Sequence, residues 1–412
     1  MIFTFVNNVI IVRLLGAEES GTFFYALAAL AFITTIFRFG LENGIIWYTS
    51  HYPKRTGSLV VILFYVLVIQ LIISFLTLRF IIPEASAFSL LWAVVFVNGN
   101  VLLFYLTAFY QVKKMFISIN ISGVAVTIGQ TLILIFLYSM QNENPVGTRT
   151  SIKDTLLIMM STALVIQLIW LAIYFYKKNK ADFILTRTEH VSINKVLNYS
   201  LTNFTGTILL FLVMRADFYF VEKYCDKTEL ANYIQMAKIG QMALVFPGLL
   251  GGVIFPFSIN SDKAFGGKIA FFCRVVTLLF VMLGILFLIA GRHLFIYLLG
   301  PHFELIFLML SGSFAGIYFL SLNIVLISYF EGLNMQKIII RSGLVTLLII
   351  ILGDSIMVPE MGYMAAAIVF SVANLAGFAV LFARFKSLSS LSIKEIFLFS
   401  RQDLSMFMKL VK

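Results

Sequence analysis

The sequence predicts an all-α polytopic membrane protein of about twelve transmembrane helices. Three observations carry that reading. First, 61% of the 412 residues are hydrophobic and only 12% are charged, where soluble domains run nearer half apolar and a quarter charged. Second, stretches such as SLVVILFYVLVIQLIISFL from Ser58 are apolar on every side, whereas strands of a membrane barrel alternate apolar and polar over about ten residues. Third, the polar gaps are short. The longest, from about Lys177 to Leu197, is too small to fold alone, which excludes an ATPase half, a kinase domain or a large outer loop.

A membrane helix needs about 20 mostly apolar residues, and polar breaks mark where each begins and ends. The first span, residues 1–15, opens directly in apolar sequence without a basic lead or a small-residue cleavage site, so it reads as a membrane helix and not a removable signal. It is short for a span, as it would be if a segment preceded it. The next five spans fall at 22–41, 58–82, 87–110, 116–139 and 155–176. The basic gap that follows divides the chain into an N-terminal bundle, 1–189, and a C-terminal bundle with a basic tail, 190–412. The second set falls at 199–222, 231–257, 268–290, 303–328, 337–353 and 362–384.

Charge gives the orientation. With the N-terminus inside, the inner segments carry 19 Lys and Arg, among them Lys113-Lys114, Lys177-Lys178 and Lys337, against 7 outside. This is the positive-inside pattern, and it predicts that both termini are cytoplasmic. The net charge of +11 is therefore mainly topology and contact with anionic lipid. No basic run interleaved with aromatics lies on a soluble surface, so no nucleic-acid partner is expected. Cys225 and Cys273 fall on opposite membrane faces and do not pair.

The halves echo each other. Tyr110, Lys114, Ser122-Gly123 and Thr127 recur in order as Tyr329, Lys337, Ser342-Gly343 and Thr346, at offsets of 219 to 223. A weaker echo joins Gly21-Thr-Phe-Phe-Tyr25 to Ala231-Asn-Tyr233. Parallel repeats of a six-helix bundle are a common transporter plan.

The first hairpin reads Arg13-Leu-Leu-Gly-Ala-Glu-Glu-Ser-Gly21-Thr-Phe-Phe-Tyr25, and the end of the second span reads Phe39-Gly40-Leu41-Glu42-Asn43-Gly44. Further on come Arg215-Ala-Asp217, Tyr233, Ala237-Lys238, Pro247, Gly300-Pro301 and Pro359-Glu-Met-Gly362. This pattern resembles the Wzx-type polysaccharide flippases, the O-antigen and exopolysaccharide translocases, over essentially the whole chain. The second element stands in altered form where those proteins usually carry Asp-Leu-Gly. The resemblance implies the multidrug/oligosaccharidyl-lipid/polysaccharide exporter fold, two six-helix bundles around a central lumen with alternating access. It also implies an undecaprenyl-pyrophosphate-linked glycan as cargo in a bacterial inner membrane. Expected partners are membrane lipids and the polymerase and chain-length proteins of the same pathway. Multidrug exporters and lipid II flippases share that fold, the latter resembling fourteen-helix proteins.

Charges inside the spans are the candidate site, because an ion near the bilayer centre costs at least about 2.5–3.5 kcal/mol unless it faces a cavity or a partner. Arg13, Arg38, Arg215 and Lys238 are candidate substrate contacts of a basic lumen. Guanidinium suits a pyrophosphate because its planar fork pairs bidentately with phosphate oxygens. Arg38 and Glu42 stand at the helical pairing distance of i and i+4. Arg215 and Asp217 are about 200° apart on a continuous helix. Arg215 would then share a face with Phe204, Phe211 and Phe218, and Asp217 one with Asn203 and Gly206. On that geometry Asp217 is either the counter-ion of Lys238 on the next span or a coupling site for H⁺ or Na⁺. Glu222, Glu331 and Asp354 are expected to be solvated near span ends. Pro247, ahead of Gly248, Gly251 and Gly252, is a candidate hinge.

Enzyme chemistry has little support. His51, His190, His293 and His302 are scattered without metal-ligand spacing, no cofactor is implied, and no GxxxxGK[ST] phosphate loop occurs. The alternatives are a cation-coupled multidrug efflux transporter, which predicts an acidic lumen, and a polytopic glycan polymerase or glycosyltransferase. The latter usually carries a sizeable outer loop, and the largest here runs from about Gln141 to Asp154.

Overall fold

The computed structural model describes residues 2–52, 56–81, 87–143, 149–179, 193–259, 266–389, 391 and 393–397. These residues hold fifteen α-helices and no strand. In order they are α1 (Ile2–Arg38), α2 (Leu41–His51), α3 (Thr56–Ile81), α4 (Ala87–Val112), α5 (Phe116–Glu143), α6 (Arg149–Lys178), α7 (Ile193–Val213) and α8 (Ala216–Tyr224). There follow α9 (Lys227–Ala243), α10 (Val245–Ile259), α11 (Gly266–Leu299), α12 (Leu305–Gly332), α13 (Gln336–Met361), α14 (Tyr363–Ser389) and α15 (Ile393–Phe397).

Among the described residues, ten helices are long and apolar enough to cross a membrane, or eleven with α9 and α10 taken as one bent span. The first two expected spans lie inside one of these, the run Ile2–Ser50. Gly16 interrupts that run with φ 76° and ψ 178°, a conformation that only glycine takes without strain. Large apolar side chains point outward from many helices, including Phe64, Phe80, Ile117, Leu132, Leu288 and Ile289. In water such a surface would aggregate; in a bilayer it is the lipid-facing wall. The chain is a multi-pass membrane protein.

It divides into two compact units, residues 1–211 and 212–412. The expected division at 189/190 lies outside the described residues. In the first unit α4 packs on α1, α2, α3 and α6, and α5 on α1 and α6. Leu30, Ile45, Tyr48, Val97, Val101 and Tyr110 belong to its core. The second expected span differs from the sequence reading. It breaks at Phe39-Gly40, both left-handed at φ 48° and 63°, and continues as α2 to His51. The break strips the carbonyls of Phe37 and Arg38 of helical partners. Gln70 Nε2 on α3 donates to the Phe37 carbonyl at 2.6 Å, and the Tyr105 hydroxyl on α4 lies 3.4 Å from that of Arg38. Gly40 and Gly44 let α7 approach, because a Cβ at either position would collide with Ser200. This is small-residue packing of the kind membrane helices use.

In the second unit α12 packs on α9, α10, α11 and α14, and α13 on α8 and α14. Gly312 and Gly316 of α12 face Ala367 and Ser371 of α14. The Ser371 hydroxyl donates to the Gly312 carbonyl at 2.7 Å and accepts from the Gly316 amide at 3.0 Å.

One turn of the expected internal repeat is shared as geometry, in a different register. The α4–α5 turn places Lys114 at φ 55° and the α12–α13 turn places Asn334 at φ 55°, 220 positions on. The Met115 amide donates to the Tyr110 carbonyl and the Met335 amide to the Phe330 carbonyl, both at 2.9 Å. These are the same left-handed helix-ending turn. Tyr110 therefore corresponds to Phe330, and Lys114 to Asn334; Ser122-Gly123 and Ser342-Gly343 stay in register. A second parallel is that α9 and α10 break at Leu244 with a bend of 40°, as α1 and α2 break at Phe39-Gly40.

Candidate functional site

The seventh expected span is not a continuous helix. It ends as α7 at Val213 and restarts as α8 at Ala216, with Arg215 capping the new helix at φ −145°. The Arg215 amide turns back to Leu212, three residues behind, instead of four, a tightening typical of a 3-10 step. The shared faces inferred from a straight helix therefore do not hold. Phe204 and Phe211 pack with tilted rings against Phe39 and Phe32 within the first unit. Phe218 does meet Arg215, whose guanidinium carbon lies 4.9 Å from the ring centroid. The side chain of Asn203 is outside the description.

Restarting the helix explains Asp217. It sits in the first turn of α8, where unpaired amides and the helix dipole favour a carboxylate. Its Oδ1 accepts from the Phe218 amide at 3.0 Å, and its Oδ2 accepts from the Tyr233 hydroxyl of α9 at 2.7 Å. Asp217 is 3% exposed and Tyr233 is fully buried. Arg215 is half-buried and donates through Nη2 to Gln241 Oε1 at 3.1 Å. Lys238, to which the sequence reading looked for a bridge, is half-buried in the same cluster, within electrostatic range of Arg215. The structure thus brings Arg215, Asp217 and Lys238 together.

It adds Asp354, and here the sequence reading was wrong. Asp354 is 0% exposed instead of solvated, because α13 runs on to Met361 and α8 and α14 cover it. It lies within electrostatic range of Asp217 and Tyr233. Neither of its oxygens has a hydrogen-bond donor among the described residues. Its signal in the sequence was an acid flanked by LIIILG and SIMV, apolar on both sides. A cavity of about 30 Å³ adjoins the cluster, lined by Asp217, Tyr233, Met236, Gln241, Ile317 and Phe370 among others. That is room for a water molecule or a small cation, not for a sugar.

Arg38 belongs to the first unit, at the Phe39-Gly40 break. Its Nη1 lies 3.6 Å from Glu42 Oε1, as the i, i+4 spacing predicts, although the helix between them is broken. Its guanidinium carbon lies 3.9 Å from the Phe104 ring centroid. Both side chains are largely buried, yet Arg38 Nε and Glu42 Oε2 have no hydrogen-bond partner among the described residues. Arg13 is exposed on α1, on the far side of the Gly16 break from Arg38. From Gly16 to Arg38 the helix alone rises about 33 Å, so the two do not form one local site. Glu222 and Glu331 are exposed, as expected.

Pro247 stands at the third position of α10. It has no amide to give the Ala243 carbonyl four residues back, and its ring crowds that carbonyl, which accounts for the break at Leu244. Of the three glycines that follow, Gly251 is the packed one, against Ser328 of α12.

This arrangement, long apolar helices broken near buried charged side chains, defines a class of helical membrane fold. Solved structures agree. A multidrug resistance MATE family transporter of the MOP superfamily, in an inward-facing conformation, is similar with a TM-score of 0.64 at 13% identity, covering 95% of each chain. The lipid II flippase MurJ matches with a TM-score of 0.63 at 14% identity over 100% of this chain and 91% of that one. A MATE transporter of Vibrio cholerae matches at 0.62 and 13% identity, over 94% of both. No curated protein sequence is matched. The polysaccharide biosynthesis protein family matches residues 1–261, and the chain belongs to that family.

Proposed function

We propose that this protein is a non-enzymatic flippase. It moves an undecaprenyl-pyrophosphate-linked oligosaccharide, an O-antigen or exopolysaccharide repeat unit, from the inner to the outer leaflet of a bacterial plasma membrane by alternating access. The observation that carries the reading is Arg215, a half-buried guanidinium held at a helix break in a chain of the polysaccharide biosynthesis family. One nitrogen is spent on Gln241, and its remaining donors suit a diphosphate. Lys238 adds a second cation within electrostatic range. Arg38 offers an unspent Nε in the first unit.

Coupling falls to the acids. A buried carboxylate without donors, within range of a second one, is costly as a bare anion. Asp354 beside Asp217 therefore takes up H⁺ or Na⁺ and gives it back when the site is exposed to the other side. The 19-to-7 distribution of basic residues supports cytoplasmic termini. Polymerase and chain-length proteins are the natural downstream partners.

Cation-coupled drug efflux is the second reading, favoured by the same two buried acids. Complementation separates the two. In a strain deleted for its own flippase, restored surface polysaccharide supports glycan translocation. No restoration despite normal membrane expression, together with ion-dependent drug extrusion, would favour efflux.

A further inference from the structure

We propose that the groove between α5 and α6 binds one acyl chain of an anionic phospholipid, with the phosphate at the lysine-bearing end. The groove has a volume of about 450 Å³. Its walls include Ile121 and Ile133 of α5 and Ile166 and Trp170 of α6, all exposed. Gly129 lies between them on α5, where a Cβ would meet nothing within 4 Å. Two of the polar groups that line it are paired with each other, Gln167 Nε2 donating to Ser122 Oγ at 3.2 Å.

One end of the groove is basic. Asn179, just past α6, contacts Met115 Sδ at the α4–α5 turn at 3.8 Å, so the start of α5 and the end of α6 lie side by side. Lys114, Lys177 and Lys178 are exposed there, and no acid occurs in residues 111–118 or 170–179. Trp170 stacks on Tyr174 at 5.5 Å, and the Lys178 ammonium lies 5.9 Å from the Tyr174 ring, an aromatic rim at headgroup depth.

Length chooses the occupant. From Ile121 to Ile133 the groove rises about 18 Å, slightly more than half of a hydrocarbon core about 30 Å thick. That accommodates the chain of a lipid confined to one leaflet, whereas a long polyprenyl chain would overrun it. The lysines select an anionic headgroup over a zwitterionic one.

The test uses the full-length protein, delipidated in detergent and titrated with phosphatidylglycerol or phosphatidylcholine carrying brominated chains, with tryptophan fluorescence as readout. Only three tryptophans are present, and Trp170→Phe identifies the signal of Trp170. Saturable quenching by phosphatidylglycerol at lower concentration than by phosphatidylcholine is expected. Gly129→Leu, which fills the groove with a better helix former, should abolish the saturable phase. Changing Lys114, Lys177 and Lys178 together to Gln should weaken phosphatidylglycerol by roughly a hundredfold and leave phosphatidylcholine unchanged. Circular dichroism and melting establish that each variant is folded. Equal, non-saturable quenching by both lipids would overturn the proposal, as would binding indifferent to Gly129→Leu. Displacement of phosphatidylglycerol by a polyprenyl phosphate at lower concentration would reassign the groove.

Discussion

Tyr233 donates its phenolic proton to Asp217 across the α8–α9 turn at 2.7 Å, with both residues buried. The bond ties the restarted half of the seventh span to the eighth and serves a buried carboxylate. Tyr233→Phe keeps the ring and removes the donor. It should destabilise the protein by about 1–3 kcal/mol, the cost of leaving a buried polar group underserved. Thermal unfolding in detergent checks it; a variant as stable as the parent would mean that Asp217 is held by other means.

Asp354 carries the ion-coupling proposal. Asp354→Asn keeps the shape and removes the titratable charge. Transport in proteoliposomes should then no longer respond to an imposed Na⁺ or pH gradient. The variant should be at least as stable as the parent, since an unserved buried acid is relieved. A full gradient response in the variant would remove Asp354 from coupling.

Pro247 explains a 40° bend through one missing hydrogen bond. Pro247→Ala should restore the bond to the Ala243 carbonyl, straighten the α9–α10 junction and raise the melting temperature. Interspin distances between labels on α9 and α10 report the angle, and the transport rate reports its use. A straightened helix with an unchanged rate would make the bend passive.

Most of the helical plan was legible in the sequence. Among the described residues ten helices, or eleven with α9 and α10 as one span, stand where twelve spans were expected, the first two sharing the run Ile2–Ser50; about 20 apolar residues in a row leave little choice in a bilayer. Of the four breaks, at Gly16, Phe39-Gly40, Met214-Arg215 and Leu244, two were not legible. Pro247 announces one, but Phe39 takes a left-handed conformation unusual for its type, and Met214-Arg215 contains neither glycine nor proline. These breaks exist because tertiary partners serve the freed backbone groups, as Gln70 and Tyr105 do at Phe37 and Arg38. Sequence spacing cannot reveal partners that distant.

The site was half legible. Arg215, Asp217 and Lys238 stood out as charges within apolar sequence and do come together. Tyr233 was visible only in the family pattern and in the weaker echo between the halves. Asp354 was misread because the eleventh span was ended at 353, one residue short of it. In the repeat, pairing Lys114 with Lys337 followed residue type, whereas the turn geometry pairs Lys114 with Asn334. Backbone conformation, and not charge, is what the two halves share there.

The central claim is that Arg215 meets the diphosphate of a lipid-linked glycan during its passage. The most direct measurement is inward-to-outward movement of a fluorescent undecaprenyl-pyrophosphate oligosaccharide in proteoliposomes, with wild type, Arg215→Lys and Arg215→Ala in parallel. The account predicts robust translocation by wild type, partial loss with Lys, which keeps the charge without the bidentate fork, and near-complete loss with Ala. Wild-type rates from Arg215→Ala, in protein shown to be folded, would contradict it.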